Sequence, residues 1–360
     1  MVYAIATPPP SRRASFSKDK RVCDVRSDTF TEPTDDMYEM MKNASRGDDV
    51  YGEDTSTLHL ETKVADLCKK QAALFCATGT MTNQIALRAA LFQPPHSILC
   101  DHRSHVYLWE AGGIAYHSQA QVTPVIPKNG HHLILQDIQK AIIPPLSGLT
   151  APTKVISLEN TLNGTIMPLQ DLAEISAFAR QRGIWMHCDG ARLWHVVAAT
   201  GVPIHEWVQY FDSISLCLSK GMGAPIGSIL VGGKDFIAKA RDLRKLFGGG
   251  WRQSGGLAHV AEWTLSNVWP QLPATHAMAT RLAEGLQAQG VRITTPVETN
   301  MVFIDTAPIG VHITDLAVYL ADKGVRLGGS SPTEARLVIH YQIEPWAIDA
   351  IIDAVQALKH

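Results

Sequence analysis

The sequence predicts an α/β protein with a large domain built on a mostly parallel sheet and a small C-terminal α+β domain. Unbroken apolar runs with strand character alternate with helix-like segments through the middle of the chain. Such runs are typical of strands whose two faces are both covered by helices. Polar or charged residues follow the carboxyl ends of five of these runs. After residue 270 the alternation resumes on a smaller scale.

The strand-like runs of the large domain are short and bounded by turn residues, as expected for buried strands. They cover residues 72–76, 97–100, 155–158, 184–188, 214–218 and 228–232. A helical pattern follows the first run as far as Ala90, and an amphipathic helix is predicted over 172–182. We therefore predict a leader without fixed structure over 1–22 and a large domain over 23–270.

The small domain is predicted over 271–360. Its helical patterns cover 281–289, 317–323 and 346–358, and its strand patterns cover 291–294, 301–304 and 336–340. The leader is basic and carries Pro8-Pro9-Pro10, which favours disorder; a weak organelle address is the alternative interpretation.

Composition narrows the class of protein. The 360 residues carry a formal charge of −2, with 46% hydrophobic and 18% charged residues. This balance gives no electrostatic case for nucleic acid or an anionic membrane. No apolar stretch is long enough for a transmembrane helix. The six cysteines form no CxxC pair, so we expect no metal site and a reducing, cytoplasmic environment.

The polar residues at the predicted strand ends indicate one shared site. They are Thr78-Gly79-Thr80, Asp101, Glu159-Asn160, Asp189 and Lys220. In open α/β sheets, ligands bind outside the carboxyl ends of the strands.

Lys220 and Asp189 suggest the chemistry of that site. A lysine at the end of a buried strand suits a Schiff-base nucleophile, because partial burial disfavours the ammonium form; a solvated surface lysine is the alternative. Asp189 is either a turn or helix-cap residue or the carboxylate that keeps a heterocyclic nitrogen protonated, as pyridoxal phosphate requires.

Several other residues are candidates for binding roles. Thr78-Gly79-Thr80 opens a helix and is suited to a phosphate group. Arg192, Arg252 and Arg336 offer guanidinium groups that suit a carboxylate, although each alone is also typical of a surface ion pair. His105 is placed to stack on a cofactor, with a packing role as the alternative and a metal pair with His102 less favoured. No nucleophile-elbow motif supports a Ser-His-acid hydrolase.

Seven blocks of residues, in order, resemble the L-threonine aldolases, which are fold-type I pyridoxal-phosphate enzymes. The blocks are 24–29 (DVRSDT), 47–52 (GDDVYG), 77–80 (ATGT), 157–161 (SLENT), 187–192 (HCDGAR), 218–221 (LSKG) and 248–255 (GGGWRQSG). The resemblance runs from about Asp24 to the C-terminus, and the fungal branch of the family is the most similar.

The resemblance implies a fold-type I PLP-dependent transferase-like fold and a role for each matching residue. It implies Lys220 as the lysine that holds pyridoxal 5′-phosphate, Asp189 at the pyridine nitrogen and His105 stacked on the ring. Around the phosphate it implies Gly79, Thr80 and Arg252. For the substrate carboxylate it implies Ser27, Arg192 and Arg336. It also implies a homotetramer built from dimers, with Tyr51 near the subunit boundary.

One departure from the family pattern leaves the reaction open. The aldolases usually carry a histidine shortly after the Glu-Asn-Thr block, whereas this chain continues with Leu162-Asn163-Gly164. Asn163 can hydrogen-bond a substrate hydroxyl but cannot take its proton. Cleavage of L-threonine or L-allo-threonine to glycine and acetaldehyde is the leading interpretation, with another group or a water as base.

Alanine racemisation is the alternative, in a pathway that supplies a fungal cyclic peptide. A racemase breaks only the Cα–H bond and needs no base for a hydroxyl. Lys220 would then be the base on one face, with a tyrosine or water as acid on the other. A cofactor-free scaffold without activity is the least favoured interpretation, because the full set of cofactor residues is present.

Overall fold

The computed structural model describes residues 22–359, so the predicted leader over 1–22 lies outside the described residues except for Val22. The strands are β1 (Cys23–Asp24), β2 (Ala72–Cys76), β3 (Ser97–Asp101), β4 (Gln121–Val125), β5 (Thr153–Glu159), β6 (Trp185–Asp189), β7 (Ser213–Cys217), β8 (Ser228–Gly232), β9 (Arg292–Ile293), β10 (Met301–Asp305), β11 (Val325–Arg326) and β12 (Glu334–Val338).

The α-helices interleave with these strands. They are α1 (Asp35–Lys42), α2 (Thr55–Leu67), α3 (Gly79–Ala90), α4 (His105–Leu108), α5 (Gly113–Ser118), α6 (Leu135–Ala141), α7 (Leu169–Gln181), α8 (Leu193–Thr200), α9 (Ile204–Val208), α10 (Lys234–Leu246), α11 (Gly255–Asn267), α12 (Leu272–Ala288), α13 (Ile313–Ala321) and α14 (Pro345–Leu358). Among residues 22–359, none of these helices is both long and apolar enough to span a bilayer.

The large unit, Glu32–Pro270, is built on a seven-stranded sheet in the order β2-β8-β7-β6-β5-β3-β4. Strand β8 runs antiparallel to both of its neighbours, and the other six strands share one direction. The predicted mostly parallel α/β sheet is confirmed. Every residue of β3, β7 and β8 is buried, which explains why these segments lack the polar alternation of a half-exposed strand.

Helix α3 follows strand β2 and begins at the edge of the sheet where the polar strand-end residues lie. It begins after Thr78, whose side chain accepts a hydrogen bond from the amide of Met81 and so caps the first turn. Its apolar face packs Ile85 and Ala86 against Leu74 and Leu230 of the sheet. Because the carboxyl ends of β2, β3, β5, β6 and β7 lie at one edge, the residues that follow them are gathered there.

Within the described residues, the second unit comprises residues 22–31 and 271–359. Its sheet has the order β12-β10-β9 and is antiparallel, and α12, α13 and α14 supply half of the buried apolar side chains in its core. The structure differs here from the prediction that the large domain begins at residue 23. Strand β1 pairs in parallel with β11, and Val25 accepts a hydrogen bond from the amide of Val338, so this segment folds with the C-terminal unit.

Candidate active site

Lys220 lies in a tight turn just after the buried strand β7. The amide of Gly223 donates to the carbonyl of Lys220 (2.8 Å), and the amide of Ala224 donates to the carbonyl of Leu218 (2.9 Å). The Lys220 side chain is half-buried. Next to it, a Cβ on Gly221 would lie 2.2 Å from Nε2 of His195, a residue that is itself buried. The turn therefore requires glycine at this position for steric reasons.

Asp189 ends strand β6, which neighbours β7 in the sheet. Its carboxylate is 97% buried and is held by two donors. The side-chain amide of Asn83 donates to Oδ2 (2.8 Å), and the backbone amide of Ala191 donates to Oδ1 (3.1 Å). These bonds fix the orientation of the carboxylate. Asp189 therefore closes the turn after β6 through Ala191 and, through Asn83, is held in a fixed orientation at the edge of the sheet.

A buried network joins Asp189 to His105. Asn83 also donates to Oε1 of Glu110 (2.8 Å), and the same Oε1 lies 2.8 Å from Nδ1 of His105. Burial lowers the pKa of His105, but the hydrogen bond to Glu110 and the charge of Asp189 outweigh it, so the pKa is raised overall. The ligand atoms of His105, Glu110 and Asp189 lie within 4.8 Å of one another. These atoms already form hydrogen bonds within the group and with Asn83. We therefore interpret the group as a hydrogen-bonded network and not as a metal site.

Glu159 ends strand β5 and stands beside Asp189 in the register of the sheet. Its Oε2 accepts a hydrogen bond from the backbone amide of His105 (2.8 Å). Burial, and then the charge of Asp189, raise the pKa of Glu159 to about 8. The site edge thus holds a carboxyl group with a pKa raised well above that of an exposed glutamate.

The first turn of α3 supplies the candidate phosphate site. The amides of Gly79 and Thr80 lie in this turn, where backbone N–H groups have no partner within the helix. The predicted phosphate ligand Arg252 is more than half exposed and forms an ion pair with Asp48 (3.1 Å). Its loop lies against the same turn, because a Cβ on Gly249 would be 2.5 Å from Sδ of Met81.

Two predicted substrate residues also belong to the large unit. Arg192 occupies the N-cap position of α8, three residues beyond Asp189, and its carbonyl accepts a hydrogen bond from the amide of His195 (2.9 Å). Asn163 lies in a turn closed by a bridge between Leu162 and Thr165, with a φ of 53°. Asparagine tolerates this left-handed conformation better than most residues.

Ser27 and Arg336 lie in the C-terminal unit. Ser27 Oγ accepts hydrogen bonds from the amide and the hydroxyl of Thr29 (3.3 and 3.0 Å). Arg336 donates to the carbonyl of Arg26 (3.4 Å). Their predicted role toward a substrate carboxylate stays a prediction.

The structure thus gathers Lys220, Asp189 and His105 at one edge of the sheet, together with Glu159, which the strand-end pattern also predicted there. Two further residues, Asn83 and Glu110, were not selected by sequence reasoning. Glu159 carried a usable signal, since it follows a predicted strand and belongs to a block shared with the aldolases.

Comparison with known proteins identifies the family. The family model described as beta-eliminating lyase matches residues 24–308, most of the chain. The chain belongs to the beta-eliminating lyase family. The chain is 48% identical over 322 residues to the low specificity L-threonine aldolase of Saccharomyces cerevisiae, covering 89% of this chain and 82% of the relative. It is 34% identical over 339 residues to the alanine racemase TOXG of Cochliobolus carbonum, covering 92% and 86%.

The fold of the chain is also found in solved structures. The threonine aldolase of Leishmania major superimposes with a TM-score of 0.81 at 21% identity, covering 94% of this chain and 100% of that one. The resemblance to the threonine aldolases and the fold-type I architecture predicted from the sequence blocks are therefore confirmed.

Proposed function

We propose that this protein cleaves L-threonine or L-allo-threonine to glycine and acetaldehyde with pyridoxal 5′-phosphate as cofactor. The observation that carries the proposal is the placement of Lys220 and Asp189 after neighbouring parallel strands, with Asp189 buried and held by Asn83. The 48% identity to a low specificity L-threonine aldolase supports the choice of reaction.

The donors and acceptors at the site fit pyridoxal phosphate. Asp189 would hold the proton on the ring nitrogen, because its two oxygens are oriented by the side-chain amide of Asn83 and the backbone amide of Ala191. Lys220 would hold the aldehyde carbon. The free amides of the first turn of α3 at Gly79 and Thr80 would bind the phosphate, with Arg252 on the loop beside them.

When bound, pyridoxal phosphate supplies a protonated ring that takes up the electron pair of a bond broken at Cα. The chain's own residues perform the other tasks. His105, which is oriented by Glu110, would cover the ring. Arg192 binds the substrate carboxylate, and Asn163 hydrogen-bonds the β-hydroxyl without accepting its proton.

Alanine racemisation is the second candidate, and one observation favours it. The turn over residues 161–165, where the aldolases usually carry a histidine, contains none, so the hydroxyl base of the aldolase reaction is not at its usual position. The 34% identity to the alanine racemase TOXG points the same way. We rank it second because the aldolase relative is more similar over a comparable length.

Two incubations distinguish the candidates. Purified enzyme is given L-threonine with an acetaldehyde assay, and separately L-alanine in D₂O with chiral analysis. We expect acetaldehyde and glycine without D-alanine. D-Alanine without acetaldehyde would instead establish the racemase. Lys220→Ala should lose both the cofactor absorbance band and all turnover, and a variant that keeps them would exclude both candidates.

We also propose that the chains assemble as a homotetramer. Tyr51 is 75% exposed, and an apolar surface on the large unit joins Tyr116, His117 and Phe247 through ring contacts, next to the exposed Leu246. Apolar side chains this exposed are typical of surfaces that other subunits cover. Light scattering on the purified protein tests the proposal, and a monomeric mass would contradict it.

A further inference from the structure

The carboxyl group of Glu159 is a candidate for the proton-accepting role near the β-hydroxyl, for which this chain lacks the usual histidine. It stands at the end of β5 beside Asp189, and only Oε2 is engaged, by the backbone amide of His105. Among residues 22–359, Oε1 forms no hydrogen bond, and the residue is half-buried rather than fully enclosed. One oxygen is thus anchored and the other is available to a ligand.

We propose that Glu159 is the base that removes the proton from the β-hydroxyl of the substrate. The inference rests on the proposed aldolase function and names the group that performs its proton transfer.

The charged groups around Glu159 are compatible with this role. His105 of α4, Asp189 of β6 and Lys220 after β7 are the titratable groups that act on it. The charge of Asp189 disfavours the ionised form of Glu159, whereas His105 and Lys220 favour that form. The balance, with burial, raises the pKa of Glu159 to about 8, close to the value at which a general base is most effective in neutral or mildly alkaline solution.

The proton and electrons balance as follows. The carboxylate of Glu159 takes the hydroxyl proton, and the O–H electron pair becomes the second bond of the aldehyde C=O. The Cα–Cβ bond breaks, and its electron pair passes to Cα. Acetaldehyde leaves, a proton from solvent bonds to Cα to give glycine, and Glu159 releases its proton to solvent.

The substitution Glu159→Gln separates this role from a positioning role. Glutamine keeps an oxygen that can accept the hydrogen bond from the amide of His105, so a residue that only positions His105 would tolerate the change. Glutamine cannot take a proton. We therefore expect threonine cleavage to fall by roughly 10²–10⁴-fold.

A second reaction of the same holoenzyme provides the internal control. Exchange of the α-proton of glycine with D₂O breaks only a Cα–H bond and needs no hydroxyl base. In Glu159→Gln we expect this exchange and the cofactor absorbance to stay within a few-fold of wild type. Glu206→Gln, an exposed exchange of the same kind on α9, should leave both reactions unchanged.

The pH profile is a further readout. A carboxyl group acts as a base in its ionised form, so the rate of wild-type cleavage should rise with pH and level off above about 8. In Glu159→Gln this rise of the rate with pH, the acidic limb of the profile, should disappear. Glu159→Asp, which keeps a carboxyl group on a shorter stem, should be slower but retain a limb. It also serves as the test if the glutamine variant does not fold.

Three results would overturn the proposal. Cleavage by Glu159→Gln within about tenfold of wild type would do so, as would an unchanged pH limb. A parallel loss of glycine exchange and cleavage would show that Glu159 positions His105 instead. If the wild-type enzyme exchanged glycine and released no acetaldehyde, the aldolase function itself would fail, which is distinguishable because the wild type, not the variant, is then inactive.

Discussion

Asn83, in the first half of α3, donates a 2.8 Å hydrogen bond to the carboxylate of Asp189. The same amide group donates to Glu110, and its oxygen faces His187 of β6 (3.1 Å). Burial lowers the pKa of His187 to about 4, so this histidine is neutral at physiological pH. One asparagine thus connects the carboxylate proposed for the ring nitrogen with the glutamate that orients His105.

Removing this connection should weaken cofactor binding. In Asn83→Ala, a buried carboxylate loses a donor, and hydrogen bonds to charged groups contribute about 1.5–3 kcal/mol. We expect the dissociation constant of pyridoxal phosphate to rise roughly ten- to hundredfold, measured by absorbance titration of the apoenzyme. Asn267→Ala, on the exposed end of α11, is the control and should bind as wild type. Equal affinity for both variants would contradict the role of Asn83.

Asn83 also shows where sequence reasoning reached its limit. Lys220 and Asp189 were predictable because each follows a short apolar run, and the ends of parallel strands meet at one edge. Asn83 lies inside a helical pattern, where a polar residue ordinarily indicates a solvent-exposed face. Its burial depends on the packing of α3 over β6 and β7, a relationship between distant segments that no local pattern records.

The fold shows the same limit. The alternation of elements and the small C-terminal unit could be predicted, but the reversed direction of β8 could not, because a buried apolar run looks alike in either orientation. The two-residue strand β1 carries no periodic signal. Its place beside β11 is determined by burial of Cys23 and Val25 in the C-terminal core.

A methyl group at Gly221 should disturb the turn that carries Lys220. The added Cβ would lie 2.2 Å from His195, whose buried ring has little room to move, and overpacking of this kind costs about 1–3 kcal/mol. We expect Gly221→Ala to lower the urea midpoint and to reduce cofactor occupancy. Gly233→Ala, whose Cβ would meet nothing closer than 3.6 Å, is the matched control. Identical stability of the two variants would rule out the steric argument.

A buried ion pair supports the strand that leads to the phosphate site. Arg244 and Asp49 are both almost fully buried and form an ion pair, and Arg244 also donates to the carbonyl of Phe75 in β2 (2.7 Å). Arg244→Met leaves the buried carboxylate of Asp49 with only its longer ion pair to Arg241 (3.6 Å), and removing one partner of a buried pair costs about 3–5 kcal/mol of unfolding free energy.

The control for this pair lies on the surface of the other unit. Arg281 and Asp349 form an ion pair while each remains about half exposed, and Arg281→Met should change the unfolding free energy by about 0–1 kcal/mol. Denaturant titration of both variants measures the contrast. If Arg244→Met were as mild as Arg281→Met, Arg244 would not be holding β2 through this pair.

The pair of His105 and Glu110 should make stability depend on pH in a defined direction. Burial lowers the pKa of His105, and the hydrogen bond to Glu110 with nearby carboxylates raises it further than burial lowers it. A histidine whose folded pKa exceeds its unfolded pKa contributes stability that is fully present below the unfolded value of about 6.5 and is lost as pH rises through the folded value. Glu110→Gln removes the charge responsible. Its destabilisation should therefore be larger at pH 6 than at pH 9, measured by denaturant titration of the cofactor-loaded protein.

In a His105→Gln background the difference between the two pH values should vanish, because no imidazolium remains for Glu110 to stabilise. A difference that persists there would assign the pH dependence to another group.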